Sequence, residues 1–296
     1  MRNKKEKWLA FLAVSPSILA VGIFVYGFIG WTVRVSFTNW RGMLPDYTWY
    51  GLKNYINLLT NDARFQVDLR NTVLFTITFV LGTLILGLLS ALLLDQGLKG
   101  EGFFRSLFLF PMAISYIVTG VIWRWLMNPA TGARMTGLNL LFDKIGLGFL
   151  NSSYTATPTW GMVYIAIPAI WQLSGYCMAL YLAGLRAIPD ELREAARVDG
   201  ATEFEIFRYV IMPLLQPVTL SALIILGHMS LKTFDLIIAV AGKQYPLDMP
   251  SIYMWNATFD AHLYGTGAAI SILLLISVAV LIIPYLYYSL RTEVKQ

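Results

Sequence analysis

Apolar residues gather along this chain in six long runs, at residues 9–33, 72–94, 106–123, 159–185, 209–231 and 263–290, and none contains Asp, Glu, Lys or Arg. Crossing a hydrocarbon core of roughly 30 Å takes about 20 helical residues. Each run approaches or exceeds that length. Backbone amides cannot stay unpaired in lipid, so each run is predicted to be a helix, and the whole chain, 1–296, a single all-α membrane domain of six transmembrane helices. The basic start followed by an apolar stretch has the look of a signal peptide, but an apolar run reaching from 9 to 33 is too long for one. An uncleaved first span is expected.

One segment breaks the pattern. Residues 186–208 carry ten ionisable groups between two apolar runs. Pro189, Asp190 and Glu191 suit a helix N-terminus, and Gly200 is the residue type that closes one. That predicts a helix over 190–199. Thr202 and Glu205 then have capping-box spacing, so a second helix is predicted to start there and to run past Pro213 and Pro217 into the fifth apolar run. On the first helix Leu192, Ala195, Ala196 and Asp199 share one face, with Glu194 and Arg197 beside it. Two readings of that face are open on the residues alone: an element that inserts into a partner, or an amphipathic helix that lies on the membrane or closes the bundle.

Charge gives the spans a direction. With the N-terminus inside, cytoplasmic segments hold twelve Lys and Arg and outer segments seven, so both termini and 186–208 are predicted to be cytoplasmic. The net charge of +5 does not indicate nucleic acid, because the basic residues are dispersed and lack interleaved aromatic platforms. Arg34 and Arg124 stand at the outer ends of their runs, where long side chains snorkel to the interface. Lys232 and Asp235, three residues apart, are expected to form a structural ion pair on one helix. The single cysteine, Cys177, is expected to pack as a small apolar residue.

Catalytic signatures are missing: no phosphate-binding G-x-x-x-x-G-K-[ST], no G-x-S-x-G and no H-E-x-x-H occurs. The histidines, His228 and His262, have no carboxylate at ligand spacing. This chain is expected to catalyse nothing alone. A neutral polar ligand needs hydrogen-bonding side chains and an aromatic face. Gln172 and Tyr176 supply these on one face of the fourth run, and Leu226, Met229, Ser230 and Thr233 form a stripe on the fifth. The alternative is that these groups only pack or satisfy neighbouring carbonyls.

Glu194, Ala195 and Ala196, three residues, Gly200, nine residues, then Val210, Ile211, Met212 and Pro213 resemble the EAA loop of ABC importer permeases, with Val and Met at the motif's Ile and Leu positions. "GLKNYINLL" at 51–59, "GEGFFRSLFLFPMAIS" at 100–115, "IWRWLMNP" at 122–129 and "LAGLRAIPDELREAARVDGA" look like carbohydrate-uptake permeases of the maltose-permease type, and the wording is closest to glucose or mannose members. The resemblance implies a type I importer permease fold in a bacterial or archaeal cytoplasmic membrane. It implies a heterodimer with a second permease, an ATPase dimer on the cytoplasmic side that holds ATP and Mg, and an external sugar-binding protein; this chain itself would carry no cofactor. It further implies that Glu194, Ala195, Ala196, Asp199, Gly200 and Pro213 couple to the ATPase. Gln172, Tyr176, Leu226, Met229, Ser230 and Thr233 coincide with the family's substrate-lining positions. An oligosaccharide or polyol permease, and more remotely an ion-coupled carrier, are the alternatives.

Overall fold

In hydrocarbon the backbone has no partner but itself, and residues 4–293, which the computed structural model describes, are accordingly almost all helical. Among them the one extended pairing is an isolated bridge between Thr38 and Trp49. In chain order, α1 is a continuous helix made of Lys4–Val21, a π-type turn Gly22–Gly27 and Phe28–Ser36. There follow α2 (Ala63–Asp95), α3 (Glu101–Leu109), α4 (Tyr116–Leu126), α5 (Gly137–Lys144) and α6 (Gly161–Arg186). Next come α7 (Asp190–Val198), α8 (Glu203–Leu214), α9 (Gln216–Leu231), α10 (Asp235–Ala241), α11 (Pro250–Trp255) and α12 (Tyr264–Glu293). Among the described residues four helices are long and apolar enough to cross a membrane, or six if each of two bent pairs counts as one span.

The bent pairs fall where the sequence analysis expects single spans. The run 106–123 is not one helix: α3 and its 3-10 extension to Ala113 meet α4 at 97°. Pro111 removes a backbone donor there, Ile114 is extended at ψ 138°, and Ser115 restarts the chain as N-cap by accepting from the Val118 amide. In the run 209–231, α8 and α9 meet at 63° around Leu215, with Pro217 in the first turn of α9. Pro168, by contrast, sits inside α6 without dividing it.

The chain divides into two compact units. One comprises the residues up to Gln66 together with Pro250–Ile276. Its core is Leu58, Phe65, Ala257, Ala269 and Ile270. Asn54 ties the end of α1 to the segment after it, donating from Nδ2 to the carbonyls of Ser36 and Thr38 at 2.9 Å each. Arg34 lies over the Tyr47 ring at 5.4 Å, a cation–π seat consistent with a side chain at the edge of a span. The most apolar stretch of α1 within Phe11–Ser36 has no buried share, and burial begins only at its end with Val35 and Ser36.

The second unit comprises Val67–Met249 with the last part of α12. Its core follows α6, where Met162, Ile165, Ala166, Cys177, Met178 and Leu185 are buried. Small residues let neighbouring backbones approach: a Cβ on Gly175 would strike the Phe108 carbonyl, and one on Gly120 would strike Ala239 of α10. Asn71 on α2 donates to the carbonyls of Pro246 and Asp248 at 3.0 and 2.9 Å, which pins the segment between α10 and α11.

Candidate coupling loop and translocation path

The polar segment folds as its punctuation predicts. Helix α7 begins after Pro189 with Asp190 and Glu191 in the first turn and Arg197 in the last, which complements the helix dipole at both ends. Gly200 closes it with φ +85°. Its amide donates to the Arg197 carbonyl, and the Ala201 amide donates to the Ala196 carbonyl, each at 3.0 Å. These two bonds make a Schellman end, which requires the left-handed residue at Gly200. Two residues on, the Thr202 hydroxyl accepts from the Glu205 amide while Glu205 accepts from the Thr202 amide at 2.7 Å, a complete capping box. The Thr202 hydroxyl and amide hold the Glu205 carboxyl below its ordinary pKa. The turn between α7 and α8 is thus fixed on both sides of Gly200.

No residue of α7 is buried. Leu192, Glu194, Ala195 and Asp199 are exposed, Ala196 is half-buried, and Val198 and Phe204 stand out at 86% and 71% exposure. Among the described residues, the face singled out from the sequence is therefore largely uncovered. Pro213 lies in the last turn of α8, next to the bend that leads to α9.

Three ion pairs brace this segment, and sequence reasoning missed all three. Arg193 Nη1 bonds Asp95 Oδ2 at 3.0 Å, and its Nη2 donates to the Leu185 carbonyl at 3.2 Å. The end of α2 and the end of α6 are so joined to α7 through one guanidinium. Arg186 pairs with Glu101 at 2.8 Å, linking α6 to the start of α3. Arg197 pairs with Glu203 across Gly200 at 2.8 Å and depresses the Glu203 carboxyl. Both side chains of that last pair are largely exposed, so it guides geometry more than it stabilises. A usable signal existed: each partner sits just outside an apolar run or in the polar segment. What it lacked was the pairing between distant positions.

The proposed substrate stripe divides. Gln172 is buried, and its Nε2 donates to the Ile114 carbonyl at 2.6 Å, the group freed where the third run breaks. Its Oε1 is buried without a hydrogen-bond partner among the described residues. Tyr176, one turn further along α6, is half-buried. Leu226 and Ser230 are fully buried, and Ser230 bonds the Gly227 carbonyl and the Thr76 hydroxyl at 2.7 and 2.9 Å. Met229 and Thr233 instead line a cavity of about 280 Å³ with Tyr116, Lys232, Phe234, Asp235 and Leu236. Thr233 donates to the Met229 carbonyl at 3.0 Å.

The ion pair expected between Lys232 and Asp235 is not formed. Helix α9 ends at Leu231, Phe234 takes φ −134° and ψ −64°, and α10 starts at Asp235. Three-residue spacing brings side chains together only on an unbroken helix. Both charged residues are exposed, and each lines the same cavity.

Residues 83–295 match the model of a family described as "Binding-protein-dependent transport system inner membrane component". A probable ABC transporter permease protein of Pyrococcus horikoshii is 40% identical over 295 residues, 99% of each chain. The xylose/arabinose import permease protein of Haloferax volcanii is 35% identical and is matched over 93% of this chain and 86% of its own length. Among solved structures, a bacterial ABC transporter involved in import of the acidic polysaccharide alginate aligns with a TM-score of 0.79 at 22% identity, over 97% of this chain and 96% of that one, and so shares the fold. With the family model covering most of the chain and a relative alike over its full length, this protein belongs to the inner membrane components of binding-protein-dependent ABC transport systems.

Proposed function

We propose that the chain is one of two permease subunits of an ATP-driven sugar importer, with α7 seated in a cytoplasmic ATPase and α6 and α9 flanking the path of a neutral sugar. The chain is a translocation component, and ATP hydrolysis belongs to a partner ATPase. The observation that carries the rest is the exposed face of α7, held rigid by the Schellman end, the capping box and the Arg193 anchor. In this reading Glu194, Ala195, Ala196, Asp199 and Gly200 present the docking surface, and Pro213 passes its displacement to α9. Motion of the ATPase then drives rigid-body alternation between inward- and outward-facing states. The second permease and an external sugar-binding protein complete the complex, and the distribution of basic residues supports cytoplasmic termini.

For the sugar, a single neutral ring is the class we adopt. The glucose or mannose wording of the sequence and the xylose/arabinose name of one relative both favour monosaccharides. The test is uptake into vesicles that hold the purified complex, with binding protein outside and ATP inside. Labelled glucose, mannose, xylose and maltose are offered in turn. ATP-dependent accumulation of a monosaccharide is the expected result. Accumulation driven by a proton or sodium gradient without ATP refutes the importer reading, and maltose as the only substrate refutes the monosaccharide class.

A further inference from the structure

Ionisable side chains in membrane spans are costly, and structures keep them where they pair or act. Lys232 and Asp235 stand just past the end of the fifth apolar run, at the break between α9 and α10, beside the apolar Leu231, Leu236 and Ile237. Neither forms an ion pair among the described residues, although three positions separate them. The break at Phe234 keeps them off a common helical face while leaving both on one cavity.

That cavity is small. Its volume of about 280 Å³ lies just below the roughly 300 to 1,000 Å³ of most small-molecule pockets. Its other walls are the rings of Tyr116 and Phe234, the thioether of Met229 and the Thr233 side chain. An ammonium offers three donors and a carboxylate accepts along about four directions, so the two together can serve adjacent hydroxyls of either polarity. Their charges sum to zero, so the site carries no net charge that would favour an ionic ligand over a neutral one.

We infer that Lys232 and Asp235 form a two-charge clamp that holds a single neutral sugar ring by its hydroxyls, against Tyr116 and Phe234, on its way through the membrane. This rests on the importer reading above and names specificity residues that lie beyond the Gln172, Tyr176 and Ser230 stripe. Met229 and Thr233 are shared by both and place the clamp at the end of that stripe. A bridge between Lys232 and Asp235 would occupy both groups, and none is formed between them across the break at Phe234.

The experiment uses the full complex in vesicles with three variants, Asp235→Asn, Asp235→Glu and Lys232→Met. Probes are glucose, xylose, their monodeoxy analogues and galacturonate. A site built to bond a hydroxyl rejects the analogue lacking it, because its own polar groups are then left unpaired. The wild-type complex should therefore prefer the parent sugar over each monodeoxy analogue, with galacturonate reporting whether Lys232 is open to an anion. Asp235→Asn and Lys232→Met should lower uptake of the parent sugar about tenfold, as expected for loss of a charge-assisted hydrogen bond, and should narrow its preference over one deoxy analogue. Co-purification with the ATPase should be unchanged, and Asp235→Glu should restore part of the preference. Unaltered uptake and unaltered preference in both charge-removing variants overturn the clamp and leave the importer reading standing. Failure of all three variants to assemble also overturns it, by assigning the charges to packing. If the wild type takes up no sugar with ATP, the importer reading falls and takes the clamp with it.

Discussion

Arg193 Nη1 rests 3.0 Å from Asp95 Oδ2, with only 20% and 14% of the two side chains exposed, while the same guanidinium holds the Leu185 carbonyl. A helix whose every residue is surface-accessible is thereby fixed to the ends of two spans by one side chain. Removing one member of a largely shielded pair strands the other, which costs more than the pair itself is worth. Arg193→Ala should lower the thermal stability of the isolated subunit by roughly 1–3 kcal/mol. In the complex it should also reduce sugar moved per ATP hydrolysed. The double reversal Asp95→Arg with Arg193→Asp should recover coupling even though the Leu185 contact is lost. Wild-type stoichiometry in Arg193→Ala contradicts this role for the anchor.

At Gly200 the cost is conformational and not steric. Its φ is +85°, and a Cβ built there meets nothing within 4 Å. A β-branched residue in the left-handed region loses roughly 1–2 kcal/mol. Gly200→Val should therefore open the Schellman end and change the angle between α7 and α8 while the protein still inserts in the membrane. ATP hydrolysis should continue with transport strongly reduced, and Gly200→Asn should behave close to wild type because Asn tolerates this conformation. Vesicle uptake and phosphate release measured side by side decide it. Equal transport by Gly200→Val and wild type removes Gly200 from the coupling turn.

What was legible in the sequence follows a physical divide. Local signals worked: Pro189, Gly200, Thr202 and Glu205 lie within one or two turns of the groups they satisfy, so the two helices of the polar segment could be read from spacing. Long apolar helices were legible where one run folds as one helix, as in α1, α2, α6 and α12. The 97° break after Pro111 was not, since Pro168 in α6 looks the same in sequence and leaves its helix intact. The difference lies in tertiary structure, where Gln172 takes up the freed Ile114 carbonyl. The same limit hid the pairing of Asp95 with Arg193 and produced the mistaken pairing of Lys232 with Asp235, where helical spacing was assumed across a break.

Gln172 and Tyr176 share a face of α6 and should respond differently to substitution. Gln172 Nε2 is committed to Ile114, so Gln172→Leu leaves a buried carbonyl unsatisfied at the bend between α3 and α4. The expected loss is about 1–3 kcal/mol of stability, with transport falling through lowered amounts of folded protein. Tyr176 is half-buried, and Tyr176→Ala should weaken uptake per assembled complex with little effect on melting temperature. Melting curves and uptake normalised to assembled complex separate the two. A large melting shift for Tyr176→Ala, with normal uptake per complex, assigns its ring to packing.

Acid should loosen the coupling turn through Glu205. Its carboxyl accepts from the Thr202 hydroxyl and amide, each at 2.7 Å, and both bonds favour the ionised form, so its folded-state pKa lies below the ordinary 4.5. Since the folded value is depressed, the stabilisation is complete above pH 4.5 and is lost as pH falls through the lowered value. Glu203 shifts in the same direction through Arg197, so both contacts flanking Gly200 weaken together. Hydrogen exchange at the Thr202 and Glu205 amides, corrected for intrinsic rates, should be flat from neutrality down to pH 4.5 and should accelerate only below it. Glu205→Gln keeps an acceptor but not the charge, so its exchange should be faster at neutral pH and free of that acid step. An unchanged acid step in Glu205→Gln places the titrating group elsewhere and removes the capping box as its cause.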